Sequence, residues 1–127
     1  RFGKWRFPTG LPKKTLLYNY HRARLRWGGG IVVVECPWGV LRLDQLGIPA
    51  VALLGISMSS VQRDLLSEAP RVLLMLDGDP AGSAAGPVIR AALGTTDVQI
   101  IGLPAGCDPD DLSDAALSEI VASSSAR

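Results

Sequence analysis

Residues 31–55 read IVVVECPWGVLRLDQLGIPAVALLG, and this stretch decides the fold. Ile31 to Glu35 is led by a continuous β-branched run, the form a strand takes when a parallel sheet buries both of its faces. Pro37 suits the first turn of a helix, where its missing N–H has no intrahelical partner to lose. Val40, Leu41, Leu43 and Leu46 then repeat at helical spacing until Gly47 closes the helix. Val51 to Leu54 is the next strand. Strand, helix and strand with short connections make one right-handed crossover unit.

The same alternation continues downstream. Ser59 or Ser60 caps a helix through Leu66, Pro70 separates it from a strand at Val72 to Leu76, and Pro80 to Leu93 forms a further helix. Val98 to Gly102 is the last strand. After a loop at Leu103 to Cys107, Pro109 and the acidic turn Asp110–Asp111 open a helix through Val121, with acids where the macrodipole favours them. Upstream, TLLYNYHRARL (residues 15–25) reads as a short helix ended by Gly28, Gly29 and Gly30. The predicted architecture is α/β, with a central, mainly parallel four-stranded sheet flanked by helices. Its organisation is a basic and aromatic arm over residues 1–30, one domain over residues 31–121 and a disordered Ser/Ala tail over residues 122–127.

With 127 residues, 47% of them hydrophobic, the chain can bury one core but hardly two. Its mean hydropathy is +0.23, yet the longest apolar runs fall far short of the roughly 20 residues that cross a bilayer. No apolar signal segment precedes them, so a cytoplasmic protein without membrane contact is expected. Cys36 and Cys107 show no metal-ligand spacing, and His21 is the only histidine. A disulfide and two reduced thiols both fit the sequence, the reduced pair being the simpler reading for a cytosolic chain. Starting on Arg1 rather than Met, the chain is expected to be part of a longer protein.

The net charge of +1 hides a division. The eight bases of residues 1–27 (Arg1, Lys4, Arg6, Lys13, Lys14, Arg22, Arg24 and Arg26) meet no acid there, whereas all twelve acids lie beyond Gly28 with the other five bases. Lys4, Arg6, Lys13, Lys14, Arg22, Arg24 and Arg26, interleaved with Phe2, Trp5, Phe7, Tyr18, Tyr20 and Trp27, are suited to tracking phosphates and stacking on bases. The blander reading is that the aromatics pack on the body and the charges are solvated.

In a parallel sheet the chemistry collects at the carboxyl ends of the strands. Glu35 ends the first strand, Asp77 and Asp79 follow the third, and Asp108 and Asp110 follow the fourth, so five carboxylates are expected to face one edge. Acids gathered without bases repel one another unless a hard cation joins them, and Mg²⁺ takes oxygen ligands while keeping several waters. In Asp77-Gly78-Asp79 the glycine permits a tight turn that lets both acids address one ion. Asp79 before Pro80 and Asp108 before Pro109 are equally good helix N-caps. Other chemistries find no support: there is no phosphate-binding GxxxxGK[ST], no dinucleotide fingerprint after a strand, no nucleophile elbow, and only one imidazole to activate Cys36.

Three strings, IVVVECPWGVLRLDQLGIPAVALLG, VLLMLDGDPAGSAAG and IIGLPAGCDPDDLS, in this order and spacing, resemble the Toprim domain of bacterial and phage-type DNA primases over residues 31–115. FPTGLPKKTLLYNYHRAR resembles the segment that leads into Toprim in mobile-element primases carrying an upstream CHC2-type zinc finger. The resemblance implies Glu35 for acid/base or metal work, Asp77 with Asp79 for Mg²⁺ (or Mn²⁺), and Asp108 with Asp110 in support. It also implies RNA primer synthesis by nucleotidyl transfer, a DNA template and nucleoside triphosphates as partners, and neighbouring zinc-finger and helicase domains. Three positions depart from the family: Cys36 stands where glycine is usual, Gly39 where cellular primases carry an acid, and Ser83 where arginine is usual. Two further functions are therefore carried along: a Toprim nuclease or topoisomerase-type strand cutter, and a degenerate module that binds nucleic acid without chemistry.

Overall fold

The computed structural model describes residues 16–125. Helix α1 (Tyr20–Arg24) precedes β1 (Ile31–Val34), α2 (Pro37–Gln45), β2 (Ala50–Ala52), α3 (Ser60–Leu66), β3 (Val72–Leu74), α4 (Pro80–Ala92), β4 (Val98–Ile100), a 3-10 turn (Pro109–Asp111) and α5 (Asp114–Ser125). All strand pairs are parallel and the sheet order is β2-β1-β3-β4.

All four β1 residues are buried, as the β-branched run predicts. Their alternation divides them between two cores. Ile31 and Val33 pack with Leu66 of α3 and with Ile89 and Leu93 at the end of α4. Val32 and Val34 pack on the other face with Val40 and Leu43 of α2 and with Leu117 and Val121 of α5. In register, Val32 lies between Ala50 and Leu73, so the small Ala50 and Ala52 of β2 leave room for the helix above them.

Several boundaries follow the sequence signals closely. Pro37 opens α2, Gly47 lies just past it at φ 76°, and Ser59 caps α3 through a reciprocal box with Gln62. Gln62 is fully buried, and its amide donates to the carbonyls of Leu16 (2.8 Å) and Leu53 (3.0 Å). One side chain thus ties the incoming chain to the end of β2. No helix among the described residues is long and apolar enough to cross a membrane.

Three expectations are corrected. The helix expected over residues 15–25 shrinks to α1, because Tyr18 exchanges both backbone hydrogen bonds with Ala52 and covers the outer edge of β2. Asn19 then turns the chain at φ 70°, a conformation asparagine tolerates, and its side chain donates to the Ala50 carbonyl at 3.1 Å. The helix expected over residues 109–121 is two elements, broken where Leu112 is extended (φ −100°, ψ 149°). Ser113 Oγ accepts the Ala116 N–H (3.1 Å) and starts α5 afresh. That helix runs on to Ser125, so residues 122–125 are helical rather than tail.

Candidate metal centre

The chain leaves β1 toward β2 on one side and returns to β3 on the other, so the strand order reverses between β1 and β3. A crevice opens at the carboxyl ends of two such strands. Glu35 lies at the end of one and Asp77 beyond the end of the other. The Glu35 Oε2 atom accepts the Asp77 N–H at 2.7 Å, while the Glu35 carbonyl accepts the Gly55 N–H at 3.2 Å. The loops after β3 and β2 therefore fix its side chain and its backbone separately. Burial pushes the Glu35 carboxyl up to about 7, with the Asp77 and Asp79 charges adding to the rise and the Asp77 N–H opposing it.

Glycine in Asp77-Gly78-Asp79 serves a purpose other than the turn expected of it. A Cβ on Gly78 would collide with the Pro104 carbonyl oxygen and stand 3.0 Å from that of Leu103. The Gly78 N–H donates to the Cys107 carbonyl (2.7 Å), and its own carbonyl accepts the Gly106 N–H (2.7 Å). Absence of a side chain lets the loop after β4 lie directly on the turn after β3. Gly82 is constrained likewise, since its Cβ would collide with the Asp77 carbonyl. Asp79 Oδ1 accepts the Gly82 N–H at 2.7 Å, which makes it the N-cap of α4.

Asp108 is 4% exposed and caps the 3-10 turn, its Oδ1 accepting the Asp110 N–H at 2.9 Å. Asp111 reciprocates, its Oδ2 accepting the Asp108 N–H at 2.9 Å. Asp110 is exposed. This turn packs against α2, where Arg42 donates to the Pro109 carbonyl at 2.9 Å and to Asp114 Oδ1 at 2.7 Å. Cys36 is half-buried at the N-cap of α2. Burial pushes its thiol up, the amides of Gly39 and Trp38 pull the other way, and the Asp77 and Asp110 charges add smaller rises. Asp77 and Asp110 thus act on Cys36 from two different loops.

The five expected carboxylates are brought to the same edge unequally. Glu35 and Asp77 are in direct contact, Asp79 and Asp108 each cap a helical turn, and Asp110 is presented by the turn that Arg42 holds. Among the described residues no three His, Cys, Asp or Glu side chains form a cluster able to enclose a metal. A hard divalent ion of the Mg²⁺ type needs only one or two carboxylates beside waters and phosphate oxygens. The crowding at Glu35, a carboxylate whose charged neighbours are acids, fits such an ion. Gly39, where an acid is usual, is buried, and a Cβ there would stand 3.1 Å from a Val34 methyl.

Of the seven bases expected to meet nucleic acid, Lys4, Arg6, Lys13 and Lys14 lie outside the described residues. Arg22 and Arg26 both reach Asp44 at 3.0 Å, and Arg24 stands 3.8 Å from Glu68. Two arginines, one in α1 and one just past its end, therefore fasten this segment to α2. Arg42, Gln62 and the contact role of Gly78 were not foreseen from the sequence. Nothing local marks Arg42 or Gln62, whereas Gly78 at least belongs to a recognisable motif.

A four-stranded parallel sheet whose strand order reverses beside a pair of acids defines the chain as an α/β domain with its crevice at the carboxyl ends of β1 and β3. Residues 32–113 match a family described as Toprim-like, and the chain belongs to that family. It is 34% identical to a DNA primase of Staphylococcus epidermidis over 105 residues, covering 78% of this chain and 18% of the relative. A DNA primase of Geobacillus stearothermophilus is 33% identical over 105 residues, with 78% and 17% covered. The chain thus spans less than a fifth of the length of these curated relatives. Among solved structures, the DnaG catalytic core superposes with a TM-score of 0.76 at 27% identity, over 93% of this chain and 42% of the other. The zinc-binding and RNA polymerase domains of the Aquifex aeolicus primase give 0.75 at 26% identity, over 93% and 32%.

Proposed function

We propose that this chain is the metal-binding Toprim part of a DNA primase, which joins ribonucleotides into RNA primers on a DNA template. The observation that carries the reading is the Glu35–Asp77 contact at the β1/β3 switch point, with both groups inside the Toprim-like segment. Glu35 and Asp77 are the pair that would ligate Mg²⁺ or Mn²⁺, with Asp79 and Asp110 acting through the waters of the ion and Asp108 shaping the turn beneath Asp110. When bound, the ion supplies positive charge to triphosphate oxygens. The chain's own residues set the frame. Asp79 and Gly82 fix the start of α4, Gly78 seats the Asp108–Asp110 loop, and the Asp77 N–H holds the Glu35 carboxylate at the switch point.

The template is proposed to run along the basic arm. Arg22 and Arg26 serve mainly to dock α1, which leaves Lys4, Arg6, Lys13, Lys14 and the loosely paired Arg24 as candidate phosphate contacts. A zinc-binding module and further catalytic segments in the same polypeptide, a mobile-element origin and a cytoplasmic setting complete the proposal. The family's nuclease and topoisomerase branches are less favoured, because the matched relatives are primases. The test is primer synthesis by the full-length protein on single-stranded DNA. Asp77→Asn plus Asp79→Asn should abolish primers; undiminished synthesis by that variant would refute the reading.

A further inference from the structure

Three elements carry the acids of this edge, and the backbone joins the first to the second and the second to the third, but not the first to the third. Glu35 leaves β1 and Asp77 leaves β3, strands that are hydrogen-bonded neighbours. Asp110 belongs to a loop eight residues beyond Gly102, held on the β3 side by the paired backbone bonds between Gly78 and the Gly106–Cys107 segment. Those bonds act upstream of Asp108 and leave the far end of the loop to be fixed from elsewhere. That second attachment is Arg42. Its side chain is 22% exposed, with one guanidinium nitrogen on the Pro109 carbonyl at 2.9 Å and the other on Asp114 Oδ1 at 2.7 Å. Pro109 lies between Asp108 and Asp110, and Asp114 opens α5, so one side chain grips both ends of the Pro109–Asp114 segment.

Arg42 lies in the second turn of α2, whose N-cap Cys36 directly follows Glu35. The guanidinium therefore fixes the distance from the β1 end to the Asp110 loop, as Gly78 fixes the distance from the β3 end. A planar fork suits this, since it can meet a carbonyl and a carboxylate at once where an ammonium offers a point charge. The Asp114 carboxylate is 71% exposed, so that bond alone adds little, and the less exposed bond to the Pro109 carbonyl is the one that positions the turn.

We propose that Arg42 is a positioning residue for the metal edge, holding the Pro109–Asp111 turn against α2 so that Asp110 stays at the edge that carries Glu35 and Asp77. The proposal rests on the reading of that edge as a metal centre. Outer groups that orient metal ligands typically change affinity by about 10- to 100-fold when removed. An effect near the lower bound is expected here, because Asp110 is one donor among several.

The test is Mn²⁺ binding to the 127-residue chain, read by the electron paramagnetic resonance signal of the free ion, with far-UV circular dichroism as the check on folding. Arg42→Ala should weaken Mn²⁺ about tenfold, and Asp110→Asn by a similar factor. The double variant should be no weaker than either single one, since Arg42 acts through Asp110. Arg42→Lys, which keeps the charge but not the fork, should fall between wild type and Arg42→Ala, and it serves if the alanine variant does not fold. Binding that Arg42→Ala and Arg42→Lys leave unchanged while Asp77→Asn abolishes it would overturn the positioning role alone. Multiplying effects of Arg42→Ala and Asp110→Asn would overturn it too. A folded wild type that binds no Mn²⁺ would overturn the metal reading and this inference with it.

Discussion

The carboxylate edge and the α1–α2 seam use acids in opposite ways. At the seam, Asp44 receives Arg22 and Arg26, each at 3.0 Å, and the Arg22 hydrogen bond is the largest of the causes that hold its carboxyl below the usual range. At the edge, Glu35 accepts an N–H from Asp77, its charged neighbours are Asp77 and Asp79, and its carboxyl is pushed up to about 7. The seam is arranged as a fold would arrange it, opposite charges together at a surface. The edge holds like charges together, half-buried, where only a cation or a proton relieves them. A cost retained in one place and avoided a few residues away points to function there.

Substitutions separate the two regions. The largest effect is expected at Gly78, where a methyl group meets backbone carbonyls that no rotamer change can move aside. Gly78→Ala should destabilise the fold by about 3 kcal/mol, read as a lower urea midpoint, whereas Gly102→Ala, with open space around it, should change little. A smaller effect separates the two acids by pH. Glu35 has a raised native carboxyl, so its neutral form stabilises the fold at low pH, and that contribution fades as pH rises from about 4.5 through about 7. Glu35→Gln should abolish this fall, which is worth about 1 kcal/mol once its half-exposure is discounted.

Asp44 carries the opposite sign. Its lowered carboxyl contributes stability above its ordinary value near 3.8 and loses it as pH falls below. Asp44→Asn should cost about 0.5–1 kcal/mol at low salt, and little in 1 M NaCl, where exposed pairs are screened. The smallest effect is expected for Arg24→Ala. Its partner Glu68 stands 3.8 Å away and both side chains are more than half exposed, so the urea midpoint should stay within experimental error.

Much of this frame is legible in the chain. Four β-branched residues at 31–34 announce a strand buried on both faces, Pro37 and Ser59 announce helix starts, and Asp79 and Asp108 before prolines announce caps that the structure contains. Local pattern fails where a distant partner decides. Leu16, Leu17, Tyr20 and Arg24 sit near helical spacing, yet the exposed edge of β2 takes Tyr18 into a backbone pair. The second helix start at Ser113 is present as a capping serine, but the acids at 110–111 mask it by continuing the same helical composition. At the edge, the residue types are plain, while their division into one contact pair, two caps and one loop-borne acid depends on tertiary hydrogen bonds. Arg42 is illegible for that reason: its partners are 67 and 72 residues away.

The most direct measurement is calorimetric titration of Mg²⁺ and Mn²⁺ into the 127-residue chain and its Asp77→Asn plus Asp79→Asn variant, with and without a ribonucleoside triphosphate. The account predicts binding that tightens with the triphosphate and disappears in the double variant. A folded wild type that takes up neither ion, even with nucleotide present, would contradict it.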